Sequence, residues 1–147
     1  MKSAAVCALF VLGLAMCSFA RKEETLPELT ARAEAAPPNK QPDLYMEAAE
    51  RQRKAASEAL KANHSQDFRT SLQDVLKYCG KAHTVALASG KRAKNTEIRI
   101  RRISNYLKDI KLDAEPEDQT AVQTVIDQLE QFRTELLRKM FGEKGHD

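Results

Sequence analysis

The chain has 147 residues, of which 42% are hydrophobic, 31% are charged and only 5% are aromatic. Its 24 Lys and Arg residues nearly balance 21 Asp and Glu residues, so the composition does not indicate a dedicated nucleic-acid binder. Three cysteines are too few for a disulfide scaffold, and the scarcity of aromatic residues argues against a β-sandwich or barrel. The length is typical of one domain.

Residues 1–20 have the pattern of an export signal. Lys2 precedes a long apolar stretch, and Arg21 begins a charged sequence. Ser18 and Ala20 place small residues at the −3 and −1 positions that signal peptidase requires. We therefore predict a signal peptide that is cleaved after Ala20, and an exported protein that is periplasmic or secreted.

Two alternatives to cleavage are a retained anchor and a lipid anchor. About 17 apolar residues span only about 25 Å as a helix, which is short of a hydrocarbon core of about 30 Å. Lipid attachment at Cys17 is less well supported because Met16 stands where a small residue is expected. Cleavage leaves Cys79 as the one thiol of the chain.

Prolines and polar breaks divide the rest of the chain into four predicted helices within a single helical domain, residues 21–141. Thr25 and Glu28 have the spacing of a capping box at the start of the first helix. Pro37 and Pro38 must end that helix because proline lacks the amide donor. The predicted helices span residues 26–36, 42–62, 66–112 and 116–141, followed by a disordered tail at 142–147.

The third predicted helix is unusually long. Between residues 66 and 112, apolar and small residues recur at alternating spacings of three and four, which is typical of a coiled-coil seam. The seam consists of Leu72, Val75, Cys79, Ala82, Ala86, Ser89, Ala93, Thr96, Ile100, Ile103, Leu107 and Ile110. Because its register passes unchanged through Gly90, we predict one continuous helix, roughly 70 Å long at 1.5 Å per residue. A rival interpretation makes residues 96–101 a β-strand.

The expected fold is all-α, an elongated antiparallel helical bundle built on this central helix, about 66–112, with a helix folded back on each half. The second half of the central helix and the last helix form a hairpin, in which residues at equal height can be paired. The charged residues at equal height are Arg102 and Asp127, Arg99 and Glu130, and Lys94 and Glu135. The apolar residues at equal height are Leu107 and Val122, Ile103 and Ile126, and Ile100 and Leu129. In the first hairpin, the residues at equal height include Cys79 and Ala49, and His83 and Tyr45. The shorter helices would cover such a rod only in part, so we expect some of the apolar residues of the seam to be exposed to solvent.

Cys79 and His83 lie one helical turn apart and are the pair of residues in the sequence that most suggests a chemical role. Their spacing suits half of a zinc site or a thiolate activated by imidazole, which makes Cys79 a candidate reactive thiol. The structural interpretation is favoured, in which Cys79 packs on the seam as a small hydrophobe and His83 lies at its edge. Cys79 near a dimer axis is a further alternative.

No nucleotide-binding, serine-hydrolase, zinc-protease or haem-attachment motif is found in the sequence. We therefore expect no enzymatic activity, no cofactor, no metal and no small-molecule substrate. Asn63-His64-Ser65 matches the N-glycosylation pattern, which matters only in a eukaryotic source.

A basic run occupies residues 91–102, where Glu97 is the one acid. Its candidate anion or partner patch consists of Lys91, Arg92, Arg99, Arg101 and Arg102. The alternative is a solvated face with paired charges. We expect a non-enzymatic exported scaffold or protein-interaction module with a protein partner or self-association. A protein that binds anionic lipid or cell-envelope surfaces through this patch is the second hypothesis.

Overall fold

A computed structural model describes residues 23–142, and this part of the protein is all-α, as predicted. Five helices pack against one another: α1 (Leu26–Ala35), α2 (Gln41–Lys61), α3 (Ser65–Ser89), α4 (Ala93–Ile110) and α5 (Pro116–Phe141), with a 3-10 turn at Lys111–Asp113. The predicted signal at 1–20 lies outside the described residues, as does the tail beyond Gly142. None of the described helices has both the length and the hydropathy needed to cross a bilayer.

The ends of the first helices follow local chemistry. The predicted capping box of α1 is confirmed, because the Thr25 amide donates to Glu28 Oε2 at 2.7 Å and the Glu28 amide donates to the Thr25 hydroxyl. Pro42 lies in the first turn of α2, where its missing amide hydrogen costs nothing. Asn63 has a φ of +55°, a left-handed conformation that asparagine tolerates and that reverses the chain between α2 and α3.

The prediction of one continuous helix over residues 66–112 is wrong. Gly90 ends α3 with a φ of +65°, and its amide still donates to the Ala86 carbonyl. Arg92 is also left-handed, with a φ of +63°, and α4 begins at the next residue. Two left-handed residues so close together turn the chain sharply. The alternative strand at 96–101 is wrong as well, since these residues are helical.

The turn at Gly90 brings α4 back beside α2. Cys79 is predicted to be level with Ala49 of α2. In a straight rod Arg99 would lie about 30 Å farther along the axis than Cys79, and therefore far from Ala49 and its neighbours in α2. Instead, Arg99 Nη2 lies 3.0 Å from Glu50 Oε2. Asn95 likewise donates to Asp43 Oδ1 at 2.6 Å. These contacts place α2 and α4 side by side and parallel.

The remaining neighbours complete a four-helix bundle of α2, α3, α5 and α4, with α1 packed on α2. Arg69 contacts Asp118, and His83 contacts Glu135, so α3 and α5 are parallel. The predicted antiparallel packing of the last hairpin is confirmed. Ser104 donates to Glu130 at 2.6 Å, whereas the later Lys111 donates to the earlier Gln123 at 2.7 Å.

The charge pairing predicted for that hairpin is wrong. Arg99 forms an ion pair with Glu50 of α2. Glu130 forms ion pairs with Lys108 and Arg133. Glu135 meets His83 in place of Lys94. The rotation of α4 toward α2 explains the change, since it turns Arg99 away from α5.

The core contains most of the predicted seam, and ten of its twelve residues are buried. Phe68 and Leu72 of α3, Ile100 of α4 and Leu129 of α5 are at most 1% exposed. Because α3 and α4 are both covered, the expected exposed seam does not exist over these residues.

Two glycines provide a test of the turn. Gly80→Ala should stabilise the protein by about 1 kcal/mol, because Gly80 is helical and the new methyl would meet Phe132 at an ordinary distance of 3.5 Å. Gly90→Ala should destabilise it by about 1 kcal/mol, because the left-handed conformation opposes a Cβ atom. Urea unfolding measures both. Stabilisation by both substitutions would support the continuous helix.

Candidate functional site

The structure separates the five residues of the predicted basic patch. Arg99 points into the α2–α4 interface, where its Nε donates to Glu50 at 3.0 Å and its Nη1 donates to the Asp43 carbonyl. Its side chain is only 18% exposed. Arg99 is therefore part of the helix packing and is not a free docking group.

Arg92 and Arg101 are half-exposed and loosely paired. Arg92 Nε lies 3.4 Å from an Asp43 oxygen, and Arg101 Nε lies 3.8 Å from Glu97. Ion pairs with such long separations and a half-exposed arginine contribute little to stability, about 0–1 kcal/mol each. Both guanidinium groups can therefore exchange these partners for another anion.

Lys91 and Arg102 are exposed, and neither forms an ion pair with any residue in 23–142. The same is true of Lys94. Lys94, Ile98 and Arg102 succeed one another at intervals of four on α4, so they line one solvent-facing stripe. The half-buried Ile98 is therefore flanked by two exposed cations, Lys94 and Arg102.

A groove at the Gly90 turn joins this stripe to the C-terminal turns of α5. Its lining residues are Gly90, Arg92, Ala93, Lys94, Asn95, Ile98 and Met140. Beside Met140, Leu137 is 36% exposed and Phe141 is 75% exposed. We call residues 89–94 together with 137–142 the basic end; they include five cations and no acid.

The opposite end of the bundle has the reverse charge. We call residues 61–67 together with 111–118 the acidic end; they include five acids against two lysines. A cavity of about 260 Å³ opens here, lined by Leu60, Asn63, His64, Ser65, Phe68, Asp113, Glu115 and Asp118. Next to Asp113, Leu112 is 82% exposed.

Two of these acids are held by one arginine. Asp118 is 2% exposed and accepts from Arg69 Nε at 2.5 Å, while Glu117 lies 3.4 Å from the same guanidinium. Asp113 and Glu115 are exposed, and within residues 23–142 neither of them forms an ion pair. They supply unneutralised negative charge at the mouth of the cavity.

The acidic end was missed by sequence reasoning. The signal was the acidic spacing Asp113-x-Glu115-x-Glu117-Asp118 beside an isolated Leu112. The sequence alone indicates only a polar break between two helices at this point, because it does not reveal that the turn at residue 64 lies beside the segment.

Cys79, the candidate reactive thiol, is fully buried in the core. Burial raises the pKa of the thiol far above its ordinary value of 9.0. A thiol in this setting stays protonated, and the thiolate is the nucleophilic form.

His83 turns toward α5 and away from Tyr45, the residue predicted to be level with it. Its ring stacks on Phe132 with centroids 4.5 Å apart, while Lys81 lies over the Tyr45 ring. His83 Nε2 is 2.8 Å from Glu135 Oε2, yet it is poorly directed for a hydrogen bond. Within residues 23–142, no cluster of three or more His, Cys, Asp or Glu side chains could hold a metal ion.

We expect Cys79 to react with a thiol reagent only when the protein unfolds. A maleimide should label it in urea but not under native conditions, because the sulfur is buried and protonated. Sedimentation with and without reductant should be identical. Rapid native labelling or a reductant-sensitive dimer would contradict this prediction.

His83 should make stability depend on pH. Burial lowers its pKa below the ordinary value of 6.5, outweighing the opposing effect of Glu135. The unfolded state then binds more protons, so stability should fall as pH drops through about 6.5 toward the lower folded pKa.

The measurement is the free energy of unfolding between pH 7.5 and 5.5, where the carboxylates remain ionised. His83→Gln should flatten the slope over this range. His64→Gln is the matched control because this side chain is 65% exposed, and the slope should persist. An unchanged slope in His83→Gln would refute the assignment.

The chain matches no protein-family model, no curated protein and no solved structure. An interpretation of function therefore depends on the surface chemistry described above, and foremost on the two ends of the bundle.

Proposed function

We propose that this protein is a non-enzymatic protein-interaction module that works after export, and that the basic end is its contact surface. Export is proposed from the signal pattern of residues 1–20. The interaction role is supported by one observation above all: Leu137 and Phe141 remain exposed beside a groove that is lined by Arg92 and by Lys94, and Lys94 forms no ion pair within residues 23–142.

The chemistry of this surface suits a protein partner. Interfaces typically combine an apolar centre with a polar or charged rim. Here Ile98 and Met140 belong to the groove, Phe141 stands beside it, and Lys91 and Lys94 provide the rim. A large exposed aromatic residue gains most when a partner desolvates it, and aromatic residues are frequent hot spots.

Binding to anionic lipid is less well supported by the fold. That hypothesis requires the helices to open and place apolar stripes in the membrane interface. The apolar stripes form the bundle core, and Arg99 of the basic run is tied to α2. Opening would break these contacts.

Site-specific photo-crosslinking tests the proposal. A photoreactive phenylalanine analogue at position 141 should capture one discrete protein in intact cells, because this side chain is 75% exposed at the proposed contact. The same analogue at Lys54, exposed on the side of α2, should capture nothing reproducible.

Charge reversal makes the result specific. Lys91→Glu with Lys94→Glu should abolish the adduct, whereas Lys54→Glu should not. A lipid adduct at position 141, together with flotation on phosphatidylglycerol vesicles but not on phosphatidylcholine vesicles, would overturn the proposal in favour of an anionic surface. Equal capture from both positions would also overturn it.

A further inference from the structure

We propose that the partner of the basic end is the acidic end of a second copy of this chain, so that the protein associates head to tail. This inference rests on the proposed function, because it names the occupant of the same contact surface. The two ends are complementary in charge, carry the large exposed apolar side chains of residues 23–142, and include a cavity at the acidic end.

Charge complementarity is the first argument. The basic end has five cations, of which Arg92 is paired with Asp43 of α2. The acidic end has five acids and two lysines, and Arg69 of α3 neutralises two of the acids in part. Lys91 and Lys94 on one end, and Asp113 and Glu115 on the other, form no ion pair within residues 23–142. Contact between unlike ends would neutralise them, whereas contact between like ends would add repulsion.

The exposed apolar residues point to the same two surfaces. Within residues 23–142, the exposed large hydrophobic side chains are Leu112, Leu137 and Phe141. The first lies at the acidic end and the other two at the basic end. In the described part of the chain the sides of the bundle carry no such side chain, so burial of this apolar area requires contact through the ends.

The cavity at the acidic end provides a receptor for an aromatic side chain. Its volume is about 260 Å³; Leu60 and Phe68 form its apolar wall, and the other six lining residues are polar or charged. An engineered apolar cavity of about 150 Å³ is large enough for benzene. By volume the cavity can therefore admit the ring of Phe141 against Leu60 and Phe68. In this arrangement Asp113 and Glu115 would face Lys91 and Lys94 of the incoming copy.

A contact between unlike ends is heterologous. Different surfaces meet, so each copy in a pair leaves one basic and one acidic end free. Association is then open-ended, and oligomers grow with concentration unless rotation closes a ring. An isologous dimer, by contrast, would stop at two copies.

Two end-blocked variants test this geometry. The basic-end variant carries Lys94→Glu and Phe141→Asp, and the acidic-end variant carries Asp113→Lys and Glu115→Lys. The matched control, Lys54→Glu with Glu58→Lys, reverses two exposed charges on the side of α2. Circular dichroism establishes that each variant is folded before it is used.

Sedimentation velocity gives the result. The purified wild-type protein and the control should increase in mass with concentration at low salt and dissociate at high salt. Each end-blocked variant alone should stay monomeric. Their mixture should form a dimer and stop there, because one functional basic end meets one functional acidic end.

Several outcomes would overturn the inference: a wild-type protein that is monomeric throughout, a dimer that survives both sets of substitutions, or a mixture of the blocked variants that fails to pair. If photo-crosslinking from position 141 captures a different protein while the purified chain stays monomeric, self-association fails and the proposed function stands. If photo-crosslinking captures no discrete protein and the purified chain also stays monomeric, both the proposed function and the head-to-tail association are refuted.

Discussion

The left-handed turn at Gly90 and Arg92 determines the architecture of this protein. It converts what would be a rod into two helices and allows α4 to lie beside α2, where Asp43 and Glu50 hold Arg99. Left-handed backbone at Arg92 costs roughly 1 kcal/mol in a residue with a Cβ atom. The contacts of its guanidinium with the Asn39 carbonyl and Asp43 offset part of this cost.

Folding back changes which surfaces are available. A straight central helix would leave apolar seam open along its length, and association along that seam would follow. In the bundle, the seam residues of α3 and α4 form a shared core, and partially buried polar pairs such as Glu97 with Arg133 bridge α4 and α5. Among residues 23–142, the large apolar side chains that stay exposed then lie at the two ends of the bundle, and the two ends carry charges of opposite sign.

The basic run illustrates how far a linear motif predicts a site. Its cationic character and position are evident from residues 91–102, and Lys91 and Arg102 are exposed. The role of Arg99 is not evident, because it depends on which side of α4 meets α2. Phe141 and the acidic end were not assigned at all, since their significance arises only when distant turns of the chain meet.

The sequence by itself determined the helical class, the capping of the first helix, and the burial of most seam residues. These properties depend on local hydrogen bonding and on which face of a helix is apolar. Only the tertiary structure decided whether the chain continues or turns at Gly90. A spacing of seven residues from Ala86 to Ala93 keeps both on the apolar side in either case, so periodicity cannot distinguish a straight helix from two helices that share one core.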